Sequence, residues 1–310
     1  MSLARIGGLV LAAALCLPAA RPAAAEAPDV APIVTPGGAA VLTAPMPGAD
    51  YVQLVLFWPG TAALGPEGRE GVFQLGPRLA FENVGGRAFP ELREAMEDAG
   101  VAIGLVATFA GTTLFVQTDA ESAGLAEAAE LGHALLTEAA LDPDDLARLK
   151  RDFADTLAEG ERDPSGQLLR ALGAVLAPGD RRVAALTNRP FETVERVGAG
   201  DVRAWMDATF HSEPIVAAAG PLEADGIAAA VDAILAGLPE PAGGAMKPDP
   251  FVFEGEGLTM AIRAPEADVA LVAAAFPAPS APPHEEKRPL SSGRAGRAGA
   301  FPSGGENDRP

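Results

Sequence analysis

Apolar and polar residues alternate in several short stretches of the chain, which is the pattern of half-buried β-strands. These stretches are rich in β-branched, aromatic and leucine residues, and they cover residues 39–43, 51–58, 101–109, 112–118 and 214–220. Ala110 and Gly111 separate two of them with a turn sequence. This arrangement predicts a β-hairpin between residues 101 and 118.

In other segments, apolar residues recur at the three- and four-residue spacing of amphipathic helices. These segments cover residues 69–83, 90–99, 125–139, 143–157, 164–175, 201–210 and 225–238. Asp142 followed by Pro143 is a typical helix start, and Gly100 is a typical residue after a helix end. Strands and helices together predict an α+β fold, in which an antiparallel-rich sheet carries helices packed on one face.

The chain divides into four regions by composition. Residues 1–25 combine Arg5, an apolar run and three alanines at 23–25, and they predict a secretory signal peptide. Residues 26–245 form the main predicted domain, and residues 246–284 resemble the beginning of a second, incomplete domain. Residues 285–310 are rich in Ser, Gly, Arg and Pro, which predicts a disordered tail. The change in composition favours a frameshifted or truncated reading frame over a natural tail, and both interpretations stay open.

Net charge and cysteine content limit the classes of partner and the cellular locations that fit this chain. The 310 residues carry a formal net charge of −19, which disfavours nucleic acid and anionic lipid as partners. Cys16 is the only cysteine and lies in the predicted signal peptide, so the mature chain has no disulfide. An exported protein without disulfides fits a bacterial periplasm, or secretion, and no later segment predicts a membrane span.

The order of the elements is also found in a known family. Four segments are informative in this respect: residues 51–60 (YVQLVLFWPG), 71–74 (GVFQ), 89–100 (FPELREAMEDAG) and 191–220. In this order they resemble the insulinase/pitrilysin metallopeptidases, which include the mitochondrial processing peptidases. The resemblance covers about residues 30–240. In that family, a strand ending in glycine leads to a helix with the motif H-x-x-E-H. Its two histidines bind Zn²⁺, and its glutamate is the general base for water.

The resemblance places different residues at the motif positions. Aligned on Gly71, these positions are Gln74, Pro77 and Arg78. Glutamine is a poor zinc ligand, proline accepts no proton, and arginine puts a fixed positive charge where the metal would lie. The third ligand of the family aligns near residues 156–157, Thr and Leu. The resemblance therefore implies no catalytic residue, no metal site and no cofactor, although active family members carry zinc. Pro77 inside a helix is also expected to cost about 3 kcal/mol unless the helix restarts there.

We therefore expect a non-catalytic homologue, acting as a periplasmic partner subunit or as the peptide-binding half of a zinc protease pair. Its expected partners are a zinc-bearing family member, as a heterodimer, and a peptide that adds a strand to a sheet edge. Leu105, Val106 and Ala107 match that edge, and charged substitutions there are expected to spare folding. The apolar helix faces within residues 120–176 and the unfinished strands at 251–276 are expected to lack their usual cover and to promote association. Two alternatives stay open, a zinc-dependent metalloendopeptidase with an aberrant site and a truncated product without function.

Overall fold

A computed structural model of the chain describes residues 29–108, 110–119, 122–160, 190–221 and 223–239, together with residues 167, 168, 171, 172 and 241. The predicted signal peptide, the predicted second domain and the predicted tail lie outside the described residues. All described residues belong to one structural unit.

Five of the eight described strands lie close to where the alternation predicts them. They are β1 (Ala31–Val34), β2 (Ala40–Pro45), β3 (Tyr51–Pro59), β4 (Asn83–Val84), β5 (Arg87–Ala88), β6 (Val101–Thr108), β7 (Gly111–Asp119) and β8 (Ile215–Gly220). β6 and β7 form the predicted hairpin, with Thr108 opposite Gly111 next to the turn. β1 was not predicted, because its sequence lies in a segment whose Pro and Ala content suggests an irregular lead-in. β4 and β5 were not predicted either, and they have only two residues each.

The helices also follow the predicted periodicity, except the six-residue helix Pro190–Glu195, which was not predicted. They are α1 (Val72–Glu82), α2 (Phe89–Asp98), α3 (Ser122–Thr137), α4 (Pro143–Gly160), α5 (Pro190–Glu195), α6 (Ala199–Phe210) and α7 (Ala224–Leu235). Asp142 caps α4 as predicted, because its Oδ1 accepts hydrogen bonds from the backbone N–H of Asp144 at 2.7 Å and of Asp145 at 3.4 Å. Gly100 follows α2 with a φ of 63°, which is the left-handed conformation that ends many helices.

Six of the described strands form one sheet in the order β1-β2-β8-β3-β7-β6. The pairs are antiparallel except β2 with β8, which is parallel. β8, the last of these strands in the chain, therefore lies between β2 and β3, which are consecutive in the sequence. This arrangement confirms the predicted α+β fold with an antiparallel-rich sheet.

The hydrophobic core lies between one face of the sheet and the helices. Alternate residues of β3 point into it, and Trp58 is completely buried, with its ring 5.0 Å from that of Phe210 at an angle of 67°. α1, α2 and α3 pack on β6, and α7 packs against α3. The apolar face of α3, with Leu125, Leu131 and Leu135, is buried there. The expectation that helix faces in residues 120–176 lack cover is therefore wrong for α3.

The opposite face of the sheet carries the exposed apolar side chains instead. Leu42, Tyr51, Val106 and Ile215 are 47, 48, 46 and 47% exposed, and the strand pairing places all four on this face. A surface of this kind is typical of a contact with another domain or protein. This exposed apolar face of the sheet was not predicted from the sequence, which placed the uncovered surface on helix faces and on residues 251–276 instead.

Candidate functional site

The three motif positions lie on one side of α1. Residues three and four apart are neighbours on a helix, so Gln74, Pro77 and Arg78 form one surface. Gln74 is half-buried, Pro77 is buried and Arg78 is exposed. α1 continues without a break from Val72 to Glu82, so the helix does not restart at Pro77. The cost of the proline is offset by tertiary packing, because most of α1 is buried.

Two glycines hold α1 close to its neighbours. A Cβ on Gly71 would lie 2.5 Å from Cγ2 of Val194 in α5. A Cβ on Gly76 would lie 2.7 Å from Cε3 and Cζ3 of Trp205 in α6. The indole Nε1–H of Trp205 donates a hydrogen bond of 3.1 Å to the carbonyl of Thr61, which fixes the ring. These close contacts determine where α1 presents its motif positions.

α1 and the edge strand β6 border a cleft, which we call the α1–β6 groove. It has a volume of about 680 Å³, and Phe153 of α4 contributes to its wall. The lining residues are Phe73, Gln74, Pro77, Arg78, Leu105, Val106, Ala107, Thr108 and Phe153. The groove therefore brings together all six residues that the sequence singles out, three on α1 and three on β6.

A smaller depression of about 240 Å³ shares Pro77, Arg78 and Leu105 with the groove and extends it along α1. Its other lining residues are Phe81, Glu82, Phe89 and Leu149. Most of the surface along both depressions is apolar. An elongated ligand in the α1–β6 groove can therefore continue into this second depression.

β6 is the last strand of the sheet order, and its pairing within the described residues is with β7 alone. An edge strand directs half of its backbone N–H and C=O groups away from its neighbour, so they can pair with another strand. Leu105 is only 5% exposed, whereas Val106 is 46% exposed. The expectation that charges along this edge spare folding is therefore wrong at Leu105, where a charge would enter the core.

An ion-pair network joins α1 to α4 beside the groove. The guanidinium of Arg148 contacts Glu82 at the end of α1, and lies 3.5 Å from both Asp145 and Asp152. Burial by itself lowers the pKa of Arg148, but the charges of Glu82 and Asp145 outweigh it and raise that pKa above its ordinary value. Arg148 thus keeps its charge and neutralises Glu82, and this pairing was not predicted from the sequence.

The fold has clear relatives, although no protein-family model and no curated protein sequence matches the chain. A peptidase M16 inactive domain from Pseudomonas fluorescens matches with a TM-score of 0.61 and 18% identity, over 71% of this chain and 52% of that chain. The first half of the periplasmic protease PqqL from Escherichia coli matches with a TM-score of 0.61 and 14% identity, over 75% and 51%. A protease from Helicobacter pylori matches with a TM-score of 0.59 and 14% identity, over 71% and 53%.

This chain has the M16 peptidase fold. M16 denotes the insulinase/pitrilysin-type peptidases, so the resemblance stated from the sequence is confirmed at the level of the fold. The chain spans about half the length of these three neighbours, and about a quarter of full-length PqqL. No helix in the described ranges has the length and apolar character that a membrane crossing needs.

Active insulinase-type peptidases carry a zinc ion, but the residues at the motif positions of this chain do not fit one. Gln74, Pro77 and Arg78 supply no imidazole or carboxylate to the groove. At the third position, the hydroxyl of Thr156 donates a 2.9 Å hydrogen bond to the carbonyl of Asp152 within α4. Within the described ranges, no three His, Cys, Asp or Glu side chains come together as a metal site would require. The metal content of the protein itself stays a prediction.

Two features of the groove were not predicted from the sequence. Phe153 lies in the helix predicted at residues 143–157, and helical spacing does not reveal that it is half-buried and lines the groove. The pairing of Arg148 with Glu82 joins residues 66 positions apart, which periodicity within one helix does not reveal. Charge on α4 was the available signal, and it does not specify a partner on another helix.

Proposed function

We propose that this chain is a non-catalytic M16 homologue that captures an extended peptide along β6 and acts with a zinc-bearing M16 peptidase. The observation that carries the proposal is the α1–β6 groove. In it, the helix surface that would hold a zinc site carries Gln74, Pro77 and Arg78. This surface faces the same cleft as β6, the edge strand whose outer side has no partner strand among the described residues. The site therefore has the features of a binding groove without those of a hydrolytic centre.

The physical basis for peptide capture is strand addition. An extended peptide pairs its backbone with the free groups of an edge strand, and neighbouring pockets accept its alternate side chains. β6 supplies eight residues for such pairing. Phe73, Phe153 and Leu105 supply apolar wall on the α1 side of the edge. Backbone pairing would give affinity, and these walls would favour apolar side chains.

The names of the neighbours agree with a role beside a peptidase. They include an M16 inactive domain, the periplasmic protease PqqL, and the ferredoxin protease FusC in complex with Arabidopsis ferredoxin. Those statements concern the neighbours. For this chain, we propose export to the periplasm or secretion by the signal peptide at residues 1–25, without zinc and with a zinc-bearing M16 partner.

Peptide capture is tested by hydrogen exchange. The probe is an acetylated, amidated ten-residue peptide of Val, Leu, Ser and Thr, and the readout is the exchange rate of the amides of residues 101–108. We expect these amides to exchange more slowly with peptide, and Val106→Lys to weaken binding. Leu42→Lys is the matched control, because Leu42 is equally exposed on the same face but lies on β2. Unchanged exchange along β6, or equal effects of the two substitutions, would contradict peptide capture at this edge.

The partner role is tested separately with a zinc-bearing M16 peptidase from the same organism. A protein that binds only the native state stabilises it by mass action, by about 2.7 kcal/mol at a concentration of 100 times Kd. We therefore expect the melting temperature of this chain to rise with the concentration of the peptidase. Elemental analysis of this chain alone should give no stoichiometric zinc. A melting temperature that does not change with the concentration of the peptidase would refute the partner role. Peptide capture would then still depend on the hydrogen-exchange test.

A further inference from the structure

We propose that the α1–β6 groove selects peptides that carry a carboxylate, and that Arg78 binds this carboxylate. The proposal rests on the proposed peptide capture and adds the chemical class of the peptide. Arg78 lines both the groove and the depression that extends it. It therefore lies near the middle of the surface along which a peptide on β6 would run.

Arg78 is available for a ligand. It is exposed, and it makes no hydrogen bond or ion pair with any residue in the described part of the chain. Glu82 is the other charged residue that lines this surface, and it is already paired with Arg148. By contrast, Arg69 on the loop before α1 is paired with Asp201 at 2.5 Å. The groove thus contains a positive charge without a counter-charge among the described residues.

The surroundings of Arg78 strengthen a short-range ion pair. Its neighbours along the groove include Pro77, Leu105 and Phe153, and apolar walls lower the local dielectric constant. A guanidinium also presents its N–H groups in a planar fork that matches the two oxygens of a carboxylate. The chain as a whole carries −19, so its long-range field does not attract anions. Selection for a carboxylate would therefore depend on contact with Arg78.

The test measures the affinity of the full chain for four ten-residue peptides of Val, Leu, Ser and Thr by isothermal titration calorimetry. Three are acetylated and amidated and carry one central Glu, Gln or Lys, and the fourth carries Gln and a free C-terminal carboxylate. We expect the Glu peptide to bind about three- to fivefold tighter than the Gln peptide, as for one ion pair at an exposed site. The Lys peptide should bind most weakly. Tighter binding of the free-acid peptide than of the amidated Gln peptide would also support carboxylate selection, with the carboxylate supplied by the C-terminus of the peptide.

Substitutions then assign the preference to Arg78. Arg78→Gln should remove the difference between the Glu and Gln peptides without weakening the Gln peptide. Arg78→Lys should retain part of the preference, because it keeps the charge without the fork. Arg196→Gln is the control, since Arg196 is also exposed and does not line the groove. Circular dichroism verifies that each variant is folded.

The outcomes separate this inference from the proposed function. Equal binding of the Glu, Gln and Lys peptides would overturn carboxylate selection and leave peptide capture standing, whereas binding of none would overturn both. A preference that survives in Arg78→Gln, or disappears in Arg196→Gln, would overturn the role of Arg78.

Discussion

Gly76→Ala is expected to lower the free energy of unfolding by about 1–2 kcal/mol, although alanine is the better helix former. The added Cβ would lie 2.7 Å from two atoms of the Trp205 ring, closer than real Cβ contacts allow. The ring cannot easily retreat, because it is completely buried and its Nε1–H is bonded to Thr61. Overpacking of about 2–3 kcal/mol therefore exceeds the gain in helix propensity of about 1 kcal/mol.

The control for Gly76→Ala is Gly226→Ala in α7. Gly226 is also a helix residue, but it is exposed, and a Cβ there meets no atom within 4 Å. This variant should be more stable than the native chain by about 0.5–1 kcal/mol, through the backbone entropy of the unfolded chain. The same substitution is therefore expected to have opposite effects at the two sites.

Urea unfolding followed by circular dichroism measures both variants. The urea midpoints of the two variants should move in opposite directions. The dependence of the unfolding free energy on urea concentration should stay unchanged, because both variants expose the same surface on unfolding. The tryptophan fluorescence of Gly76→Ala should also change, because Trp205 is one of only two tryptophans in the chain. If Gly76→Ala stabilises as much as Gly226→Ala, then α1 and α6 are not packed as closely as described, and the position of the motif surface must be revised.

Three further predictions concern α4, the motif surface and β6. Asp142→Ala should cost about 1 kcal/mol of stability in urea unfolding, because two backbone N–H groups at the start of α4 lose their acceptor. Gln74→His should bind no stoichiometric zinc by elemental analysis, since one imidazole does not make a zinc site when a proline and an arginine occupy the other motif positions; one zinc per chain would refute this. Leu105→Lys should lower the melting temperature strongly, whereas Val106→Lys should change it little, because only Leu105 is buried; equal melting temperatures would contradict this orientation of β6.

Much of the fold could be predicted from the sequence because most elements carry a local signal. The alternation in residues 51–58 corresponds to β3, and the spacing in residues 90–99 corresponds to α2. The order of strands in the sheet has no such signal. Alternation predicts that β8 is half-buried, but it does not predict that β8 pairs in parallel with β2.

The candidate site was predictable in part for the same reason. The three positions on α1 follow from their spacing and from the resemblance to the insulinase-type family, and the edge at β6 follows from the same resemblance. That both surfaces line one groove depends on tertiary packing, including the contact of Gly76 with Trp205, 129 positions further along the chain. The exposed apolar face of the sheet is likewise a property of strand pairing, since Leu42 and Ile215 have no local relation in the sequence.

The position of β8 also has a consequence for the order of folding. Its partners in β2 lie about 175 residues earlier in the chain, so closing this pair costs roughly 5 kcal/mol of loop entropy or more. The local hairpin of β6 and β7 can form early, but β2 and β3 have no strand between them until Ile215 to Gly220 have been synthesised. Before that point, both strands present unpaired edges, which are sites of aggregation. β8 thus joins the two parts of the described sheet, β1-β2 and β3-β7-β6. A chain cut before Ile215 is left with two separate sheet fragments.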